Sequence, residues 1–323
     1  MQRALGDLWH YGDGTHHEMR GALAAHLGVG PENVIVGEGI DGLLGTLCRL
    51  MLDPGDQIVA SDSAYPTFLF HVAAQNARHI AVPFKDDRPD LEGLLAAAER
   101  TQPKIVYLSN PDNPSGAWFT GEQIARFAAA LPATTLFVLD EAYVEYAPAG
   151  TAVPIDITAP KMLRFRTFSK AYGLAGLRVG YGFGAAPIVR AFDKIRNHFA
   201  ISPVADAGAR AALADAQYLA DIVKRNAEGR ARLAAIAMEH GLSALASATN
   251  FLAIDCGKDR AFAAAVLDAV LARGVFIRKP GIAPLDRCIR VTVGTDDDLS
   301  AFAAALGPAL EDAEVSASRH AAE

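Results

Sequence analysis

Four short stretches of the chain hold side chains whose types and spacing could do chemistry. In "RFRTFSKAYGLAGLRVGYG", Lys170 has the hydroxyls of Thr167 and Ser169 close by, and Arg178 follows eight residues later. Hydroxyls with a guanidinium make an anion site suited to phosphate. A lysine held beside such a site can form a Schiff base with an aldehyde cofactor. In "FVLDEAYVEY", Asp140 ends an apolar run, with Glu141 next and Tyr143 three further on. A carboxylate there is costly unless a cation meets it, and a protonated pyridine nitrogen would be such a cation. "YLSNPDNPSGAWF" is turn-rich and places Asn113 before Pro114. Finally, "NVIVGEGIDGLLGTL" spaces Gly37, Gly39 and Gly42 as G-x-G-x-x-G, with Asp62 twenty residues past the last of them. On spacing alone that is a dinucleotide fingerprint. Its physical content is narrower: a helix N-terminus that attracts a phosphate, whichever cofactor carries it.

These groups need a frame. Apolar runs at "NVIV", "QIVAS", "ARHIAVPF", "KIVYLSN", "TLFVLDEAY", "KMLRFRTFS" and "LRVGYGFG" alternate with helical periodicities, among them a helix opening near Pro66, "DLEGLLAAAER" and "GEQIARFAAAL". That alternation indicates an α/β fold with a parallel or mostly parallel sheet. Ligands of such sheets sit beyond the carboxyl ends of strands, where "SN", "DEAY" and "SK" fall. From about Ser202, long Ala-rich helical stretches lead to "NFLAID", a helix, "GVFIR", "CIRVTVG" and a last helix. This is the pattern of a smaller α+β domain. Met19, Leu23 and Leu27 mark an early helix with Thr15 as its expected cap, and the tail "EVSASRHAAE", without a periodic apolar face, is expected to fray. The expected division is an N-terminal segment 1–29, a large domain 30–212 and a small domain 213–323.

Composition narrows the class. With 51% hydrophobic and 21% charged residues, the chain reads as globular and soluble, and 323 residues suffice for a large domain and a smaller one. A formal charge of −7 argues against a nucleic-acid or anionic-membrane surface. No apolar run approaches a membrane span. Cys48, Cys256 and Cys288, scattered and odd in number, fit a reduced cytoplasmic protein better than a disulfide framework. "THHE" lacks the spacing of a metal site, and the acids of "TDDDLSAF" are explained by a helix start capped by Thr295.

Taken in order, "SNPDNPSG", "LDEAYVEY", "TFSKAYGLAGLRVGY" and "CIRVTVGT" resemble the fold-type I pyridoxal-phosphate aminotransferases, most of all the histidinol-phosphate aminotransferase group. The similarity runs from about Tyr11 to Leu306. It implies an aspartate-aminotransferase-like fold: a large domain with a seven-stranded, mostly parallel sheet between helices, and a smaller α+β domain. It also implies roles. Lys170 would carry the pyridoxal 5′-phosphate and shuttle a proton, and Asp140 would keep the ring nitrogen protonated. Asn113 and Tyr143 would bond the phenolic oxygen, and Tyr65 would stack on the ring. Thr167, Ser169, Arg178 and the turn at Ile40 and Asp41 would hold the phosphate, and Arg290 would clamp the substrate carboxylate. Tyr11 would reach the cofactor phosphate of a second subunit in a homodimer. Arg278 and His198 stand where they could approach substrate. The implied reaction is ping-pong exchange of an amino group between an amino donor and a 2-oxo acid, with glutamate and 2-oxoglutarate the expected pair. A decarboxylase or oxidase on the same scaffold, or a non-catalytic ligand-binding module, are the alternatives. Relatives usually begin with an "NENP"-type arm; this sequence opens at "MQRALGDLWHYGD", without that motif.

Overall fold

The computed structural model describes residues 1–320, with side chains through residue 316. Seven strands form one sheet: β1 (Val34–Gly37), β2 (Gln57–Ser61), β3 (Arg78–Val82), β4 (Ile105–Ser109), β5 (Leu136–Asp140), β6 (Met162–Thr167) and β7 (Gly180–Gly184). Their spatial order is β1-β7-β6-β5-β4-β2-β3. Strands β2 to β6 pair in parallel, whereas β7 runs antiparallel to both β6 and β1. The sheet is therefore mostly parallel, as expected.

Strands β4 and β5 are buried along their whole length because helices cover both faces, which is why they read as unbroken apolar runs. On one face Ile105, Tyr107, Val138, Leu163 and Phe165 pack with Leu43, Leu44 and Leu47 of α3 (Gly39–Met51) and with Phe68 and Val72 of α4 (Pro66–Ala74). On the other, Val106, Leu108, Phe137 and Leu139 meet α5 (Leu91–Thr101) and α6 (Gly121–Ala130). Each fully buried side chain of this size contributes about 1.5–3 kcal/mol. Asp90 caps α5, and a reciprocal Thr120–Gln123 capping box starts α6.

Before the sheet come a single turn, α1 (Gln2–Leu5), and α2 (His17–Leu27). Beyond it, α7 (Ala186–Phe192) and α8 (Pro203–Ala214) return to the large sheet, and α9 (Ala216–Glu239) leads to the second. That sheet is antiparallel, in the order β10 (Cys288–Thr292), β9 (Phe251–Asp255), β8 (Ser243–Ala244). It packs with α9, α10 (Arg260–Ala272) and α11 (Asp296–His320) around Leu233, Ile254, Val266 and Phe302.

Three local expectations change. "GVFIR" is not a strand: it touches the small sheet through one bridge, Arg278 to Arg290, with Phe276 exposed and Pro280 lacking an N–H to extend the ladder. The third strand is β8. Thr15 does not cap α2; the Asp13 carboxylate accepts from the N–H of His17 and from Thr15 instead. The tail stays helical to His320, and residues 321–323 lie outside those described. Thr295 does start α11, its hydroxyl accepting from Asp298 N–H and donating to the same residue's carboxylate.

Candidate active site

Register explains why polar groups converge at the carboxyl ends of β4, β5 and β6. Side chains alternate in strands, so Tyr107, Asp140 and Thr167 share the face of Val138 and Phe165. Around them Ile40, Asp41, Tyr65, Asn113, Tyr143, Ser169, Lys170 and Arg178 line a single cavity. Every expected cofactor contact except Tyr11 is in that wall.

Asp140 anchors the cavity floor. Its Oδ2 accepts from the Tyr107 hydroxyl at 2.8 Å and its Oδ1 from the Ala142 N–H at 3.0 Å. Burial nevertheless pushes its carboxyl up to about 6, against those two donors and the charge of Lys170. Glu141 turns the other way. It takes both nitrogens of a fork from Arg164 at 2.7 and 3.0 Å and a third bond from Arg166 at 3.0 Å, tying the end of β5 to β6. Lys170 holds its ammonium 5.3 Å from the Tyr143 ring centroid. Burial pulls its pKa below the ordinary lysine value; Asp140 opposes this, while Arg290, Arg178 and Arg278 add to it.

The loop after β4 is pinned so that Asn113 points one way. Asn110 exchanges two hydrogen bonds with Phe119, and Asp112 accepts from the N–H and hydroxyl of Ser115. Asn113 Oδ1 accepts from Arg290 Nη1. A guanidinium only donates, so the Asn113 oxygen must face it, and the amide N–H is left for the cavity. Tyr143 stands edge-on to Phe251, at 5.5 Å between centroids, and Tyr65 sits at the start of α4, just before Pro66.

At the other end of the cavity, the N-terminus of α3 meets Arg178. Gly39 has φ of 78°, and a Cβ there would lie 2.7 Å from an Arg178 guanidinium nitrogen. A Cβ on Gly180 would lie 2.7 Å from the Ile40 nitrogen, so both glycines are needed for this approach. Arg178 itself is left-handed, φ 53°, and its guanidinium reaches the Ser169 hydroxyl at 3.4 Å and the Ala175 carbonyl at 3.0 Å. The Asp41 carboxylate faces the His71 imidazole at 3.4 Å.

A second cavity shares Tyr65 and Asn113 with the first and is lined also by Arg278, Lys279 and Arg290. Arg290 comes from β10, and its guanidinium lies 4.9 Å from the Phe251 ring centroid. Arg278 is thereby placed at the site. His198 is exposed and lines neither cavity, and Tyr11 is 80% exposed against Phe199, outside both within one chain.

The residues present fit pyridoxal phosphate: an anion cradle at one end, a buried carboxylate at the other, and a partly buried lysine between them. Comparison with known proteins agrees. The family model of the class I and II aminotransferases matches residues 2–306. The chain belongs to that family. It is 36% identical over 315 residues to histidinol-phosphate aminotransferase 2 of Carboxydothermus hydrogenoformans, covering 96% of this chain and 86% of that one. With its namesake from Pseudomonas aeruginosa it shares 37% over 314 residues, covering 96% and 84%. A solved structure of histidinol-phosphate aminotransferase from Sinorhizobium meliloti, in complex with pyridoxal-5′-phosphate, is 50% identical and superimposes with a TM-score of 0.94 over 96% of this chain and 85% of that one. An aspartate aminotransferase mutant from Thermus thermophilus, 21% identical, shares the fold at a TM-score of 0.82 over 96% and 91%. This aminotransferase is a pyridoxal-phosphate-dependent transaminase, with an amino donor and a 2-oxo acid as its substrates. No helix among the described residues is long and apolar enough to cross a membrane, and no cluster among them could hold a metal ion.

Sequence reasoning passed over Tyr107 in the first cavity and Lys279 in the second. Tyr107 carried a readable signal: a tyrosine inside a strand buried on both faces must find a partner for its hydroxyl.

Proposed function

We propose that the enzyme transfers the amino group of histidinol phosphate to a 2-oxo acid, with 2-oxoglutarate the acceptor and glutamate the product. The observation that carries this reading is the second cavity, where Arg278, Lys279 and Arg290 converge and none is ion-paired to a carboxylate among the described residues. Histidinol phosphate has no carboxylate at its α-carbon; its anion is the phosphate. A cation set able to take a phosphate from one substrate and a carboxylate from the other suits a two-stroke exchange. The curated relatives and the structure from Sinorhizobium meliloti bear the same substrate in their names.

Bound pyridoxal phosphate would supply an aldehyde that accepts amino groups and an electron sink for charge at the substrate's α-carbon. Lys170 would hold it and, once released, move the proton at that carbon. Its lowered proton affinity raises the fraction of free amine, the form able to do so. Asp140 would face the ring nitrogen with its negative charge, Asn113 and Tyr143 would donate to the phenolic oxygen, and Tyr65 would cover the ring. Thr167, Ser169, Arg178 and the N–H groups at Ile40 and Asp41 would bind the phosphate. We take residues 30–212 as the cofactor-binding domain and 213–323 as the domain that brings Arg278 and Arg290. The enzyme would work in the cytoplasm, with its three buried cysteines reduced, as a homodimer. Exposed Tyr11 and Trp9 would then meet the second subunit.

Half-transamination tests the reading. Histidinol phosphate alone should convert the cofactor's visible band to that of the amine form faster than any carboxylate amino acid. Conversion by glutamate or an aromatic amino acid, with none by histidinol phosphate, would overturn the donor assignment.

A further inference from the structure

We propose that the Tyr107 hydroxyl decides where the proton rests between Asp140 and the ring nitrogen of the cofactor, holding it on the nitrogen. This rests on the pyridoxal-phosphate reading of the cavity and adds a positioning residue to it. Two bases share one proton here. In water the carboxylate is the weaker of them, but a low-dielectric site penalises the charged pair and favours a neutral acid beside a neutral ring. What keeps the charge on oxygen is whatever hydrogen-bonds that oxygen.

Tyr107 is built for that task. Its hydroxyl lies 2.8 Å from Asp140 Oδ2, fully inside the protein. Parallel pairing sets Tyr107 beside Val138, two residues before Asp140 and on the same face. Its ring stacks on Phe68, at 4.5 Å between centroids and 23° between planes, so the hydroxyl has little freedom to turn away. Burial and the neighbouring Asp140 hold its own proton firmly, which leaves it a donor throughout the working range. The other titratable groups around Asp140 are Lys170, Glu141, Asp112 and Tyr143. Glu141 raises the carboxylate's proton affinity. Lys170 lowers it, but Lys170 is the reacting group and its charge changes during turnover. Apart from the Ala142 N–H, Tyr107 is the donor on Asp140 that stays constant.

The test uses pyridoxal 5′-phosphate labelled with nitrogen-15 in the ring, loaded into the wild type, Tyr107→Phe and Phe68→Leu. The wild-type signal should fall at the position of a protonated pyridine, and Tyr107→Phe should move it toward the unprotonated one. In the unloaded proteins, the Asp140 carboxyl carbon of Tyr107→Phe should titrate about one to two pH units higher than in the wild type. Phe68→Leu, which loosens the stack but keeps the hydroxyl, should move both readouts by less than half as much as Tyr107→Phe. A Tyr107→Phe protein with both readouts unmoved overturns the proposal. So does an equal shift in Phe68→Leu, which would assign the effect to packing. A wild type that takes up no labelled cofactor would instead sink the cofactor reading on which the proposal stands.

Discussion

The two cavities that meet at Tyr65 and Asn113 are built on opposite terms. In the first, Asp140 is hydrogen-bonded through both oxygens and Asn113 is oriented by Arg290, while the neighbouring Glu141 is locked to Arg164 and Arg166. In the second, Arg278, Lys279 and Arg290 converge without a carboxylate between them. A cofactor is the same molecule in every turnover, so the groups that hold it can be fixed in advance by the sheet. Substrates alternate, and on the proposed function the second cavity takes two different anions in turn, which suits cations left without a carboxylate partner. Arg290 belongs to both regions, which links occupation of the second cavity to the orientation of Asn113 in the first.

Substitutions can break this contrast. Asp140→Asn should lower kcat/KM about 10²–10³-fold, the scale for losing one preorganised electrostatic contact in an enclosed site. The same change should stabilise the unloaded protein at high pH. Asp140 has a folded pKa raised to about 6, so its contribution to stability is present below the unfolded value of 3.8 and lost as pH rises through 6. At pH 8 the buried charge therefore costs roughly 2–3 kcal/mol, and Asp140→Asn should melt higher than the wild type there but not at pH 4. Calorimetry of the unloaded proteins at the two pH values checks this. Arg290→Ala should raise KM for both substrates about a hundredfold, through lost charge-assisted bonds, with a smaller fall in kcat. Steady-state kinetics separates the two terms. Gly39→Ala should weaken cofactor retention about tenfold, because its Cβ would press on Arg178 at a left-handed position. Equilibrium dialysis reads that loss. Thr120→Ala, at the capping box of α6 and lining neither cavity, should cost about 1 kcal/mol of stability and leave kinetics unchanged.

The sequence made the first cavity easy to read and the second harder. Lys170, Asp140, Asn113 and Arg178 lie in short motifs, and it is the resemblance of those motifs, taken in order, that nominates them. Tyr107 escaped because its partner is 33 residues away, and only strand register brings the hydroxyl to the carboxylate. Lys279 escaped for a similar reason: "GVFIR" read as a strand, whereas the chain leaves the small sheet after a single bridge and lines a cavity with Arg290. A mostly parallel sheet was legible from alternation, but neither its strand order nor the reversal of β7, which apolar periodicity cannot report. Tyr11 lies outside the first cavity within one chain, and the role expected of it would need a second subunit.

On the proposed function, Lys170 joins pyridoxal 5′-phosphate in the cavity floored by Asp140. Borohydride reduction of the loaded enzyme, followed by peptide mass mapping, tests it most directly. The label should appear on the peptide carrying Lys170 and vanish in Lys170→Ala. A label on any other lysine, or none in a protein that has bound the cofactor, would contradict it.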